Sequence, residues 1–416
     1  MLDIRYIREN AKEVAEKSKH KGYDIDVDKL LKLDQRRREV LADLEMVRAE
    51  RNKLAEAKPK AKPSAETVKK GKHLRQHLAD CEAQFAAIEK EFEPLMVAVP
   101  NVFADDTPLG GEDANQEEKK WGVTAFPDFE VIDHQTWAQK KGFLDFERGA
   151  KVAGHKFYFL KGDLVDMELA LAQLSLSVVK KHGFWPMMVP HLVNTRTLEG
   201  AGFSAKGDGK QVYKIEGEDL NLIATAEIPL TGFFADEIIP LDWLPSKMAG
   251  FSPSYRVEGG AYGKYNRGLF RTHQFNKFEL YVYCEPSESE QWHQKLLAIE
   301  EEICHLLRIP YRVVRIASGD LGAPAYKKYD VEYWSPIDKT YRELMSCSNV
   351  TDYQARRLNI RYKDKGGKTN YVHTLNATAM AASRMLVAII ENHQAKDGKL
   401  HIPKSLQPYM SGQKVI

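Results

Sequence analysis

Cysteine is scarce. The four residues Cys81, Cys284, Cys304 and Cys347 lie scattered, with no CxxC pair and no histidines at metal-ligand spacing. That pattern argues against a disulfide framework or a zinc site, and it suits a reducing compartment, so a cytoplasmic location is expected. Long apolar runs are missing too. No segment approaches the roughly eighteen residues of a membrane span, and MLDIRYIREN carries charges where a signal peptide would need its apolar stretch, so no membrane partner is expected. Neither GxGxxG nor GxxxxGK followed by Ser or Thr occurs, which argues against a Rossmann domain and a P-loop. Net charge is small, +2 overall, and by itself says nothing about nucleic acid.

What is present is enough apolar material to fold. Hydrophobic residues make up 43% of the 416, so disorder of the whole chain is excluded, and the length suggests two or three domains. The charge, though small in sum, has an address: Arg48 to Arg75 holds ten Lys or Arg against three Glu. This basic segment lies between two seams. Leu33, Arg37, Val40, Leu44, Val47, Arg51 and Leu54 alternate by four and three residues, imperfectly; Leu74, Leu78, Cys81, Phe85, Ile88, Phe92 and Leu95 do so with an apolar residue at every step. Between them, Pro59 and Pro63 must stop the helix. The pattern predicts an antiparallel hairpin of two long helices, about 45 Å in reach, with cations at its tip. Taken alone, such an arm reads as a spacer or dimerisation coiled coil; the clustering of charge at one end suits nucleic-acid phosphates.

VFADDTPLGGEDANQ, rich in Asp, Gly and Pro, reads as a linker. After Trp121 short strand-like runs (FYFL, FELYVYC, YRVVRI) alternate with helical stretches at Leu164 to Lys181, Ser287 to Leu307 and Ala379 to Asn392. The expected fold class is therefore α+β: an N-terminal α-helical coiled-coil hairpin over 1–100, a linker over 101–120, and a domain over 121–416 with a mainly antiparallel β-sheet flanked by helices.

Phe251 to Tyr283 carries the most chemistry. Arg256-x-Glu258, a loop rich in glycine and cations, and Arg271-x3-Phe275-x3-Glu279 read as two strands that bring two arginines, an aromatic ring and two carboxylates to one face. Such a face can grip a triphosphate with guanidinium forks, stack a base and orient an amino acid. A hairpin with cross-strand ion pairs and a core phenylalanine has the same composition. The wider pattern separates the two, because this stretch resembles motif 2 of class II aminoacyl-tRNA synthetases, and FRTHQFNKFEL is similar to the seryl-tRNA synthetase version. IATAEIPLTG resembles that family's serine-binding segment, YRELMSCSNVTDYQARRL its metal and ATP segment, and HTLNATAMAASRMLVAIIENHQ its motif 3. The helix ending at Lys181 with FWPMMVPHLV, including Pro190, is similar to motif 1.

The resemblance implies a class II catalytic domain that activates serine with ATP and transfers it to the 3′ end of tRNA(Ser), and it leaves tRNA(Sec) open as a second acceptor. It implies ATP contacts from Arg256, Val257, Glu258, Phe275, Glu343, Leu344, Met345, Ser346 and Arg384, with Arg256, Glu343 and Arg384 catalytic. Mg²⁺ would sit on Glu343 and Ser346. L-Serine would lie among Thr225, Ala226, Glu227, Arg256, Glu279, Asn376 and Thr378. It further implies a homodimer through the motif 1 region, with tRNA held by the basic arm. The chain departs from the family pattern LNGSGLAVGR, reading LNATAMAASR, and Met345 replaces a frequent serine, which is expected to alter the metal environment slightly. Two other readings share parts of the pattern: a ligase that loads an amino acid onto a carrier protein, which needs no long basic hairpin, and a non-catalytic RNA-binding relative, which needs no motif 2 and motif 3 arginines.

Overall fold

The computed structural model describes residues 1–56, 64–124, 127–203, 212–258 and 268–416. The Pro59 and Pro63 turn, Lys58, Lys60 and Lys62 within it, and the glycine-rich cationic segment after Glu258 lie outside the described residues. The chain divides into two compact units, Met1–Val102 and Phe103–Ile416.

The first unit is helical: α1 (Ile4–Glu9), α2 (Ala11–His20), α3 (Val27–Glu56) and α4 (Ala65–Ala98). Asp3 starts α1 by accepting a hydrogen bond from the Arg5 N–H at 2.8 Å, and Ser64 starts α4 by accepting one from the Thr67 N–H at 3.1 Å. Both satisfy amides that a helix start leaves without partners. The 34 residues of α4 make an arm of roughly 50 Å. Ile7 and Val14 pack with Leu30, Leu33, Ile88, Phe92 and Met96, whereas Leu44, Val47, Leu74, Leu78 and Cys81 form a second cluster farther along both helices, toward Glu56 and Ala65. Arg37, one of the two arginines in the first seam, pairs with Glu89 and lays its guanidinium over Phe85 and Phe92, 5.5 and 5.3 Å from their ring centres. At this position the seam is thus closed by cation–π contact and an ion pair in place of an apolar residue.

Lys21, also in this unit, is buried and donates to the Asn101 carbonyl at 3.0 Å; burial lowers its ammonium from 10.5 to about 7. Below that value both states carry the charge and the fold bears its desolvation. Between about 7 and 10.5 the unfolded chain binds the extra proton, so stability rises with pH across that window. Lys21→Met is expected to flatten this rise when thermal unfolding is followed by circular dichroism. An unchanged slope would remove Lys21 as its source.

The second unit runs β1 (Gln116–Trp121), α5 (His134–Lys140), β2 (Leu144–Asp145), α6 (Phe146–Ala153), β3 (Phe159–Leu160), α7 (Asp163–Lys181), β4 (Trp185–Met188), β5 (Leu192–Val193), α8 (Thr195–Gly200), β6 (Asn221–Leu222), α9 (Glu227–Gly232), β7 (Ile238–Ile239), β8 (Ser246–Tyr255) and β9 (Gln274–Cys284). It continues through α10 (Ser289–Leu307), β10 (Tyr311–Arg315), β11 (Lys327–Ser335), β12 (Thr340–Thr351), α11 (Tyr353–Leu358), β13 (Arg361–Lys363), β14 (Thr369–Tyr371), β15 (His373–Ala381) and α12 (Ala382–Asn392). Eight strands form one sheet in the order β1-β10-β11-β12-β15-β9-β8-β4, antiparallel throughout except where β4 runs parallel to β8. α7, α10 and α12 cover one face with the main core, which includes Leu171, Leu296, Leu386, Leu280 and Val331.

Two expectations change. The segment over 101–120 is no free linker. The Ala104 N–H donates to the Tyr326 carbonyl at 3.0 Å, the Ser318 N–H donates to the Pro108 carbonyl at 2.8 Å, and Gln116–Trp121 adds an edge strand to β10. Its acidic and turn-forming residues serve this docking, with Asp106 paired to Lys327 and Arg315, each at 2.8 Å. The last long helix starts at Ala382, three residues later than its composition suggests. Ala379 to Ala381 stay in β15, where strand pairing to β9 outweighs the helix propensity of alanine.

Candidate active site

The face of the sheet opposite the helices is polar in its centre. On β9 the even-numbered Phe278, Leu280, Val282 and Cys284 enter the main core, so Phe275, Lys277 and Glu279 point the other way. The neighbouring strand adds Asn376, opposite Tyr281, and Thr378, opposite Glu279. On β12, Glu343 and Ser346 are three residues apart, a spacing that would put them on opposite faces of a regular strand. A bulge at Leu344 corrects this: Glu343 pairs with Glu332 and Ser346 with Asp330, and those two share a face of β11. The same bulge sends both Leu344 and Met345 into the core, each 1% exposed. The Met345 thioether therefore points away from the face that carries Glu343 and Ser346, contrary to expectation, and only the backbone of these two residues remains for a nucleotide.

At one end of this face lies a buried polar cluster. Glu279 pairs with Lys277, whose ammonium also donates to the Thr225 hydroxyl at 3.3 Å. Burial raises the Glu279 carboxyl, and Lys277, the Thr225 hydroxyl and the charge of Arg256 offset part of that rise. Beside it, Glu227 accepts from Asn376 at 3.1 Å and from Gln354 at 2.8 Å. Gln354, fully buried, accepts in turn from the Tyr281 and Thr374 hydroxyls, each at 2.7 Å. Ala226 is buried under the short helix α9, and Gly250 on β8 leaves room for it: a side-chain carbon there would stand 2.9 Å from the Ala226 methyl.

Toward the other end, arginines line the face. Arg256 donates from Nε to the Ala224 carbonyl at 3.4 Å, and its guanidinium lies 5.3 Å from the centre of Phe275. Glu258, at a positive φ of 46°, pairs with Arg271 at 3.2 Å, and Val257 between them is half-buried. Arg384, in the first turn of α12, pairs with Glu343 at 2.9 Å and sits 5.0 Å from the centre of Phe270. Burial raises the Glu343 carboxyl, but Arg384, Lys328 and Arg256 more than offset this and hold it well below the usual range. Arg256 thus acts electrostatically on Glu279 at one end and on Glu343, the partner of Arg384, at the other.

Several participants escaped the sequence reading. Lys277 stands two residues before Glu279, a spacing that puts both on one face of any strand, so the signal was there. Gln354 gave none; it reaches Glu227 across 127 positions. Lys328 and Asp330, paired at 2.9 Å, sit beside Ser346 only through strand register. Among the described residues no group of three or more His, Cys, Asp or Glu is placed to hold a metal ion. The donor set at Glu343 and Ser346 therefore fits only a cation that brings most of its own oxygen ligands, as Mg²⁺ does when it arrives with phosphates.

Known proteins match both units of the chain. A family model described as the tRNA synthetase class II core domain (G, H, P, S and T) matches residues 211–393, and one described as the seryl-tRNA synthetase N-terminal domain matches residues 1–103. The serine–tRNA ligase of Rubrobacter xylanophilus is 43% identical over 420 residues, covering 100% of this chain and 99% of its own. The chain belongs to the seryl-tRNA synthetase family. Its relative from Dictyoglomus thermophilum, also a serine–tRNA ligase, is 44% identical over 416 residues, with 99% of this chain and 98% of that one covered. The crystal structure of seryl-tRNA synthetase from Pyrococcus horikoshii complexed with ATP superposes with a TM-score of 0.92 at 39% identity, over 100% of this chain and 99% of that one. The cytoplasmic serine–tRNA ligase of Naegleria fowleri in complex with AMP superposes with a TM-score of 0.87 at 32% identity, over 100% and 98%. The helical arm and the antiparallel catalytic sheet are thus those of a class II aminoacyl-tRNA synthetase of the seryl type.

Proposed function

We infer that the chain is a serine–tRNA ligase: it activates L-serine with ATP and transfers the seryl group to the 3′ end of tRNA(Ser). The observation that carries this reading is one face of the sheet on which Arg256 acts on Glu279, within a buried polar cluster, and on Glu343, the partner of Arg384.

Within it, Thr225, Ala226, Glu227, Asn376 and Thr378 form the walls for serine, and the acidic side of the pocket holds its ammonium group. The hydroxyl is met by Glu279 and Lys277. Arg256 binds the serine carboxylate and the α-phosphate together, so the carboxylate oxygen approaches phosphorus in line and the developing charge is spread over the guanidinium. Phe275, which already carries Arg256 on its ring, is the adenine platform, with Glu258, Val257 and the backbone of Leu344 and Met345 alongside. Arg384 steadies the outer phosphates until pyrophosphate leaves. Mg²⁺, bound with the nucleotide at Glu343 and Ser346, would neutralise phosphate charge. The 3′-hydroxyl of the tRNA then attacks the carbonyl carbon of the adenylate, and AMP departs.

A pocket that satisfies a hydroxyl rejects alanine because its own polar groups are left unpaired, and rejects threonine by the space an added methyl needs. ATP–pyrophosphate exchange with each of the twenty amino acids is expected to favour serine by at least about 10²-fold. A different amino acid at the top of that series would overturn the assignment.

The helical arm is the proposed tRNA contact; its cations suit a phosphate backbone, and its binding weakens as salt rises. Homodimerisation through the α7 and β4 region is supported by the apolar side chains exposed there, Leu169, Trp185 and Met188 among them. Among the described residues no helix is long and apolar enough to cross a membrane, and a cytoplasmic location fits the four free, buried cysteines.

A further inference from the structure

Pairing between β12 and β15 ends at Cys347 and Ala377, and beyond that point the two strands part. The next amide, the Thr378 N–H, finds no strand partner on the β12 side. It donates instead to Oε1 of Glu300 at 3.0 Å. Glu300 comes from α10, the helix that packs behind the sheet, and its side chain is completely buried. A carboxyl group from the core side thus stands in for a missing strand at the fork. The fork lies between Ser346 on one strand and Thr378 on the other. Immediately after it, β15 bulges between Thr378 and Met380, so Ala379 is the extra residue and Thr378 still faces Glu279.

We propose that Glu300 is a positioning residue for the amino-acid pocket, holding Thr378 opposite Glu279 by accepting its backbone N–H at the point where the strands separate. The inference rests on the reading of that pocket as the serine site. Three features support it. The Thr378 amide would otherwise be a buried donor without a partner, which a fold tolerates poorly. Glu300 stands on α10 beside the core residues Leu296, Leu297 and Ile303, where an apolar side chain would be cheaper to bury. Its environment also disfavours the charged form. Burial raises the carboxyl well above its usual range, the Thr378 amide and the charge of Lys277 lower it only in part, and Asp330 and Glu279 push it further up. Its other oxygen, Oε2, has no hydrogen-bond partner among the described residues, so the Thr378 amide is the hydrogen bond this side chain makes there.

The chemistry separates an acceptor from a charge. Glu300→Gln keeps the acceptor oxygen at the same reach, whereas Glu300→Asp withdraws it by one methylene and Glu300→Leu removes it. In ATP–pyrophosphate exchange by the full-length protein, Gln is expected to hold the serine KM within about twofold of the parent. Leu and Asp are expected to raise it about tenfold or more, with the ATP KM unchanged, and to narrow the preference for serine over threonine. A merely structural role would lower thermal stability while leaving serine and ATP KM values together. Equal shifts in both KM values, an unchanged serine KM in Leu and Asp, or a Gln variant as impaired as Leu would each overturn the proposal. Should Leu fail to fold, the Asp and Gln pair decides alone. A parent protein with no serine-dependent exchange would sink the functional reading itself, and this proposal with it; a serine-dependent parent with insensitive variants sinks the proposal only.

Discussion

Arg256→Ala is expected to lower serine-dependent ATP–pyrophosphate exchange by about 10³-fold or more while leaving the thermal midpoint within a few degrees of the parent. The size follows from where the guanidinium stands. It is tethered at Nε to the Ala224 carbonyl, spread over Phe275, and felt by both Glu279 and Glu343, so one side chain joins the two halves of the cleft. In the proposed reaction it touches both reacting groups, and no neighbour can replace it. Arg256→Lys retains the charge and loses the planar fork, so it should recover only part of the activity. The fold has less to lose, because the side chain is only half-buried. Near-normal exchange by the alanine variant would remove Arg256 from the chemistry and, with it, the assignment of the cleft.

The second large effect concerns the arm. Removing residues 44–81 and joining the helices by a short turn is expected to leave serine activation within about twofold and to lower tRNA charging by about 10²-fold or more. The cut is chosen from the packing. The two helices face each other through Arg37 with Glu89 and Arg48 with Glu82, so residues 43 and 82 lie close enough to bridge. It also spares the inner cluster of Ile7, Val14, Leu30, Leu33, Ile88 and Phe92 and discards only the outer one. A deletion from Asp28 to Val97 would strip α1 and α2 of their packing partners and confound the result. Equal loss of activation and charging would show that the arm does not act separately from the cleft.

Much of this was legible before any coordinates. The second helical seam needed nothing but spacing, because a four-three rhythm of apolar residues has one way to be buried in a helical pair. Glu279, Lys277 and Phe275 share parity on one strand, and that also follows from the chain. Other elements resisted for identifiable reasons. Gln116–Trp121 consists mostly of charged and polar residues, all exposed, so no hydrophobic alternation marks it; it is a strand because β10 offers an edge. Ala379 to Ala381 read as helix because alanine favours helix locally, and a strand ladder on β9 overrides that preference.

What the chain determined by itself is the kind of protein: a helical hairpin with its cations at one end, a mixed domain of strands and helices, and the residue types that grip phosphate and a small amino acid. Those are properties of composition, periodicity and short-range spacing. What only the tertiary structure decided is which of those residues act together. Glu343 and Ser346 share a face because Leu344 is squeezed out as a bulge; Gln354 supports Glu227 from a distant helix; Glu300 closes a fork between strands from behind. Each depends on register between segments far apart in the chain, and register is set by packing against neighbours, which no local stretch of sequence contains.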